Sequence, residues 1–505
     1  MRPHPVVDSL ALAGATAVLA FLAAVLASGT GAGEIGAALA VGVVVALVFA
    51  WRPTDGLIAF GLVMLLADTI ELRTGVGLRY ADEAAIPLLV LAAIVAHRDR
   101  LTLPSLGRGD SALAVLLGAG ILSSLLNAVP ASIWIPGLGL LAKGFVFFYL
   151  VLALRVDAED LRRVTGAFLL VGAVIIGIGL LQFLLPELAA ALGVPSGTQQ
   201  RGSLAVVSSV FTHPALYGWL AAFLALFLYA RFSVLGEWWA LLLAIGMGAA
   251  SVLSGRRTPI VGLLVGVLVG IARQFTHGQA RVRALLTAVV LFGVLAAISL
   301  PLLGDFYRHT LTQYVEPPEL IAEVLSESPD AAVIAPMAPR NALYIGSVAV
   351  ARDHLPLGAG LGRFGSHMSR ESYSPVYQAY GLELVSGLQE AEPVAVTDTF
   401  WPMVLGETGV VGLAAALAFF GALGARLWRS AANGPIAIRA FLLGALLVYV
   451  ESLVRSLTSP LFVAPPVAYF AFGAAALAVA ARRDVVEDTA AVEGGAPVSE
   501  AARPA

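Results

Sequence analysis

The chain has 505 residues, of which 59% are hydrophobic and 12% charged, with a mean hydropathy of +0.90 and a formal net charge of -3. Soluble domains carry about 25% charged residues, so an ordinary water-soluble globule is excluded. Cysteine is absent, which excludes disulfides, thiolate nucleophiles and cysteine-based metal sites.

Apolar runs long enough to cross a bilayer recur along the chain and indicate an all-α polytopic membrane protein. About fourteen transmembrane helices (12–14) are expected, near residues 9–28, 35–51, 55–70, 83–97, 111–128, 137–154, 164–185, 214–230, 235–253, 258–273, 284–302, 400–425, 436–454 and 460–481. Val25-Leu26-Ala27 could serve as a signal-peptidase site, but the first run is read as an uncleaved span. The chain divides into residues 1–303, the first eleven spans; 304–399, one large extracytoplasmic loop, itself partly helical; 400–481, the last three spans; and 482–505, an acidic tail rich in Ala, Pro and Gly. That tail is expected to be disordered and cytoplasmic.

Arginines in the short loops set the orientation. Arg98, Arg100 and Arg108, then Arg155, Arg162 and Arg163, then Arg231, Arg273, Arg281, Arg283, Arg426, Arg429, Arg439, Arg482 and Arg483 all fall after even-numbered spans. That side is cytoplasmic, with both termini inside and the long loop outside. A second set runs against this bias: Arg73, Arg79, Arg201, Arg256, Arg257, Arg340, Arg363 and Arg455. Outer arginines can pair with lipid headgroups or with nearby acids. Arg256 and Arg257, adjacent at the mouth of a span, repel each other unless an anion neutralises them. Arginine forks match phosphate oxygens, so a lipid-linked phosphate or diphosphate suits this cluster. Lys143, the only lysine, lies inside the sixth span and needs a partner.

Within the loop, Leu343, Ile345, Val348 and Val350 predict a helix over 341–353 with Arg340 near its positive end. Pro356 stops it. Gly358, Gly360 and Gly362 then make a turn whose backbone could approach a ligand or could simply be a turn. Asp398, at the outer rim of the twelfth span, is a candidate acid and equally a candidate helix N-cap. Glu407 lies deeper, where a carboxylate is a functional-site hypothesis or half of an ion pair. His213, before Pro214, is either a proton carrier or a hydrogen-bonding turn residue. No nucleotide loop and no metal-spaced cluster is present in the sequence.

Three segments together resemble the O-antigen ligase and O-antigen polymerase family of bacterial surface-polysaccharide assembly. They are Ser254-Gly255-Arg256-Arg257-Thr258; Arg340 followed by Asp353-His354-Leu355-Pro356-Leu357-Gly358-Ala359-Gly360-Leu361-Gly362-Arg363-Phe364; and Asp398-Thr399-Phe400-Trp401 through Gly406-Glu407-Thr408-Gly409-Val410-Val411-Gly412. Phe211-Thr212-His213-Pro214 resembles a fourth family step. The resemblance spans about Arg201 to Gly412. Where ligases of that family carry histidine at the loop-to-helix junction, this chain has Asp398.

The resemblance implies a metal-independent, inverting glycosyltransferase in the cytoplasmic (inner) membrane. It would move glycan from a polyprenyl diphosphate to a sugar hydroxyl at the outer face. Asp398, Arg257 and Arg340 are the expected catalytic residues. Arg256, Arg201, His213, Arg363 and Glu407 are the expected substrate contacts. No cofactor, metal or nucleic acid is expected. The partners would be the glycan donor, a glycan or glycolipid acceptor, membrane lipid and other polysaccharide-assembly proteins. A ligase acting on a surface lipid and a lipid-linked oligosaccharide flippase are the alternatives.

Overall fold

The computed structural model describes residues 33–78, 80–98, 101–102, 105–194, 200–201, 204–275, 335–434 and 436–494, with isolated helical positions at 16, 19, 290, 293 and 297. Apart from those isolated positions, the expected first span and eleventh span lie outside the described residues, as do residues 304–334 of the long loop. The regular elements described are helices, apart from one antiparallel pair of two-residue strands, β1 (Gln200–Arg201) and β2 (Leu204–Ala205).

In chain order the helices before the loop are α1 (Gly33–Trp51), α2 (Pro53–Thr74), α3 (Ala81–Ala96), α4 (Arg108–Leu126), α5 (Ala131–Ala153), α6 (Ala158–Leu184), α7 (Pro186–Ala191), α8 (Pro214–Leu235), α9 (Trp238–Leu253) and α10 (Arg257–Phe275). The loop contributes α11 (Pro339–Asp353), α12 (His367–Glu371) and α13 (Pro375–Ala379). Three more follow: α14 (Trp401–Asn433), α15 (Ile436–Ser456) and α16 (Val467–Gly494). Among the described residues, six stretches (α1, α4, α5, α6, α8 and residues 401–432 of α14) are long and apolar enough to cross a membrane; α9 is apolar but shorter. The chain is therefore a multi-pass helical membrane protein.

The bundle is built around α8, which packs against α9, α10 and α15. Trp219, Tyr217 and Tyr229 on α8 are among the largest fully buried side chains. By contrast α1 leaves Leu39 and Leu47 exposed, as a helix facing lipid does. Because lipid is as apolar as leucine, helix association there depends on close packing against small residues. Gly172 and Gly179 of α6 face Leu224 and Tyr217; Gly270 of α10 faces Tyr229.

Two boundaries differ from expectation. The last span does not start near residue 460, because residues 460–466, with Pro465 and Pro466, are non-helical and α16 begins at Val467. Nor is the chain unstructured from residue 482: the α16 backbone stays helical to Gly494. Ala, Glu and Val are compatible with helix there, and the first breakers are Gly494, Gly495 and Pro497.

Candidate functional site

The site is assembled from the ends of four elements. Helix α8 starts at Pro214, with His213 as its N-cap; the His213 Nδ1 accepts the Ala215 N–H at 3.2 Å. Helix α10 starts at Arg257, just after a left-handed Gly255 (φ 60°) turns the chain out of α9. Helix α11 starts at Pro339, whose missing N–H is no loss at a first helical position, and this sets Arg340 in the first turn. Helix α14 starts at Trp401, close behind Asp398.

Cross-bonds bring these ends together. Arg340 Nη2 donates to Asp398 Oδ2 at 3.1 Å. The Arg256 guanidinium acts electrostatically on the same carboxylate and reaches His213 Nε2 through Nη2 at 2.8 Å. The segment after α15 ties the rest. Tyr344, one turn beyond Arg340, donates to the Leu457 carbonyl at 2.7 Å, and the Thr458 hydroxyl donates to Thr258 Oγ1 at 3.3 Å, beside Arg257. Trp401 Nε1 donates to Ser456 Oγ at 2.9 Å. Arg340, Asp398, Arg256 and His213 thus share one site, with the N-termini of α10 and α11 adding positive helix-dipole ends.

Two details bear on chemistry. Asp398 is not the N-cap of α14; Phe400 is, without a side-chain capping bond. Its carboxylate is therefore not committed to the helix end. Burial pushes the Asp398 carboxyl above its ordinary value, against the pull of the Arg340 and Arg256 guanidiniums. Second, neutral imidazole accepts at one nitrogen only. His213 faces a backbone N–H at Nδ1 and a guanidinium at Nε2, so it cannot satisfy both. An anion beside Arg256 would relieve that conflict.

The glycine turn has a different role from close approach to a ligand. Its glycines are buried, Gly358 against α14, Gly360 against the end of α4, and Gly362 against Ile133 of α5 and Met368 of α12. Ala359 N–H donates to the Gly406 carbonyl at 2.8 Å and Gly360 N–H to the Glu407 carbonyl at 3.1 Å. From α4, Ser123 Oγ and Asn127 Nδ2 both donate to the Gly358 carbonyl, at 2.8 and 3.0 Å. Gly358 and Gly409 both have positive φ, 73° and 66°. A Cβ on Gly358 would lie 2.6 Å from Gly409 N and 2.7 Å from Gly406 O. A Cβ on Gly409 would strike Pro356 O. Two glycine tracts therefore interlock, backbone to backbone, and α14 breaks its helical geometry at Gly409 to allow it.

Glu407 anchors that interlock. It is 3% exposed and accepts the Phe364 N–H at 3.2 Å. The Gly362 and Arg363 N–H groups and the Ser366 side chain also hydrogen-bond to it. Its binding capacity is taken up by the loop's own donors. Arg363 contributes its backbone there, and its side chain is half-buried. Arg257 is half-buried at the start of α10, beside Arg256. The Arg201 side chain lies outside the described residues. Arg455 pairs with Glu451 at 3.6 Å, fully within α15. Sequence reasoning missed Tyr344, Thr458 and the Ser123–Asn127 clamp. Tyr344 was findable, since it follows Arg340 by one helical turn on the same face.

No protein-family model matches the chain, and no curated protein is significantly similar to it.

Proposed function

We propose that the protein is a membrane glycosyltransferase of the polysaccharide polymerase or ligase kind. It takes glycan from a polyprenyl diphosphate and passes it to a sugar hydroxyl at the outer face of the cytoplasmic membrane. In this reading there are about fourteen spans, both termini are cytoplasmic, and the 304–399 loop is outside. The observation that carries the reading is the Arg340–Asp398 pair, set beside Arg256 and His213 at the mouth of a membrane bundle. This arrangement puts cations for a diphosphate and a carboxylate for a hydroxyl in one place.

The chemistry follows from those groups. Asp398 accepts a hydrogen bond from the acceptor hydroxyl and takes its proton as the oxygen attacks the anomeric carbon. The bond from that carbon to the diphosphate breaks, and the polyprenyl diphosphate leaves with the electron pair. Arg340, Arg256 and Arg257 stabilise the charge that develops on it. In-line displacement inverts the anomeric centre. Burial helps, because a carboxylate with a raised pKa is a stronger base than a free one.

The test uses purified protein in liposomes with a lipid-linked repeat unit. Arg257→Gln and Arg340→Gln should each slow glycan transfer by about 10²–10³-fold while the repeat unit still reaches the outer leaflet. If both variants instead trap the repeat unit inside, the protein is a flippase. In cells lacking the protein, accumulated single repeats identify a polymerase and accumulated long polymer identifies a ligase.

A further inference from the structure

A cavity of about 650 Å³ opens beside the site just described, within the range of pockets that hold small ligands, roughly 300–1,000 Å³. Asp82 and Glu83 at the start of α3, Lys143 of α5, His367 and Glu371 of α12, and Thr397 all line it. Lys143 Nζ donates to Asp82 Oδ2 and to Glu83 Oε1, each at 2.6 Å, and Tyr469 OH donates to Asp82 Oδ2 at 2.6 Å. Asp82 and Lys143 are therefore committed to each other. The Glu83 and Glu371 side chains stay 37% and 48% exposed. Among the lining residues three carboxylates face one ammonium, Glu371 being also paired with Arg370 at 3.5 Å, so the wall disfavours a diphosphate. Oxygen acceptors alternating with the apolar surfaces of Pro460 and Met368 suit a ring with hydroxyl or ammonium donors on its edge and C–H groups on its faces.

The location makes the charge division meaningful. Thr397 belongs to the cavity wall, and the next residue, Asp398, belongs to the arginine cluster. The cationic and acidic compartments thus meet at the proposed base. We propose that this cavity is the acceptor subsite. It holds the terminal sugars of an uncharged or amine-bearing glycan and presents a hydroxyl to Asp398, while the arginine side holds the diphosphate. This rests on the glycosyl-transfer reading above, and the experiment separates the two.

Gly139 of α5 lines the cavity, and a Cβ there meets nothing within 4 Å. Gly139→Leu fills the space and favours the helix. The full chain in nanodiscs free of sugar detergent is examined by saturation-transfer NMR with chitobiose, maltose, glucosamine and inorganic pyrophosphate. At least one sugar should bind, and Gly139→Leu should weaken it roughly tenfold with pyrophosphate binding and thermal midpoint unchanged. Arg256→Gln should do the reverse. Glu371→Gln, at the exposed end of α12, should weaken sugar binding too, and decides the matter if Gly139→Leu does not fold. Sugars silent in the parent protein, or sugar binding that survives both variants, overturn the proposal. Sugar binding lost as expected, with pyrophosphate bound by no form, upholds the glycan cavity and removes the donor half of the proposed function.

Discussion

Asp398→Asn separates stability from catalysis. The Arg340–Asp398 pair is 3.1 Å long, with side chains 36% and 38% exposed. An ion pair at that exposure contributes about 0–1 kcal/mol. Asparagine keeps the shape and an acceptor oxygen for Arg340, so less than the whole of that is lost. The thermal midpoint should move by no more than about 2–4 °C. Loss of a positioned general base should instead slow glycan transfer by about 10²–10⁴-fold. The assay is single-turnover extension of a lipid-linked glycan in proteoliposomes, with unfolding of the same sample followed by intrinsic fluorescence. Near-normal turnover refutes the base. A collapse in stability matching the loss of activity refutes it equally, because the pair is then structural.

Other expectations follow from the same geometry. Activity should fall as pH drops through the Asp398 pKa, which lies above its ordinary value because burial outweighs the arginines. Arg340→Gln removes one of the groups holding that pKa down, so the acid limb of its residual pH–rate profile should move to higher pH; an unmoved limb contradicts the assignment. The sign for stability is also defined. A folded-state pKa above the unfolded one stabilises the fold below the unfolded value, and this is lost as pH rises through the folded value. Asp398→Asn should abolish that component in pH-dependent melting curves. Gly409→Ala (φ 66°, ψ -165°) should cost about 3 kcal/mol or more, from a glycine-only backbone region plus backbone overlap, read as a lowered thermal midpoint. Glu407→Ala leaves several buried donors unmet, at about 1–3 kcal/mol each. It should fail to yield folded protein, and a well-folded, inactive Glu407→Ala would restore a direct chemical role.

The helices were legible because each is an apolar run with a start signal. Pro214 after His213 and Pro339 before Arg340 mark starts that the structure keeps. The helix expected over 341–353 is found at Pro339–Asp353. The pairing of Arg340 with Asp398 was expected only in outline, and it forms across 58 residues of chain. The turn at Gly358 was ambiguous for a physical reason. A backbone that comes close to a ligand and one that comes close to a helix both need glycine. Only the partner tract, Gly406 to Gly409, decides between them, and a single sequence does not say which two tracts face each other. Glu407 carries the same ambiguity. A buried acid signals that donors surround it, whether these belong to a substrate or, as here, to the protein's own loop. The partners of Lys143 were within reach, since Asp82 and Glu83 open a neighbouring span on the same side.

The interlock of Gly358 with Gly409 also has a mechanical meaning. Residues 339–362 of the loop are moored to the bundle twice, by Tyr344 on Leu457 and by the two glycine tracts. Lifting it would unmake backbone hydrogen bonds and expose Glu407 together with the donors it satisfies. A segment so fastened is a fixed rim rather than a lid. On the proposed function, a lipid-anchored donor then enters sideways, by two-dimensional diffusion within the bilayer. Turnover would depend on that lateral traffic, and so on the fluidity of the membrane around the rim.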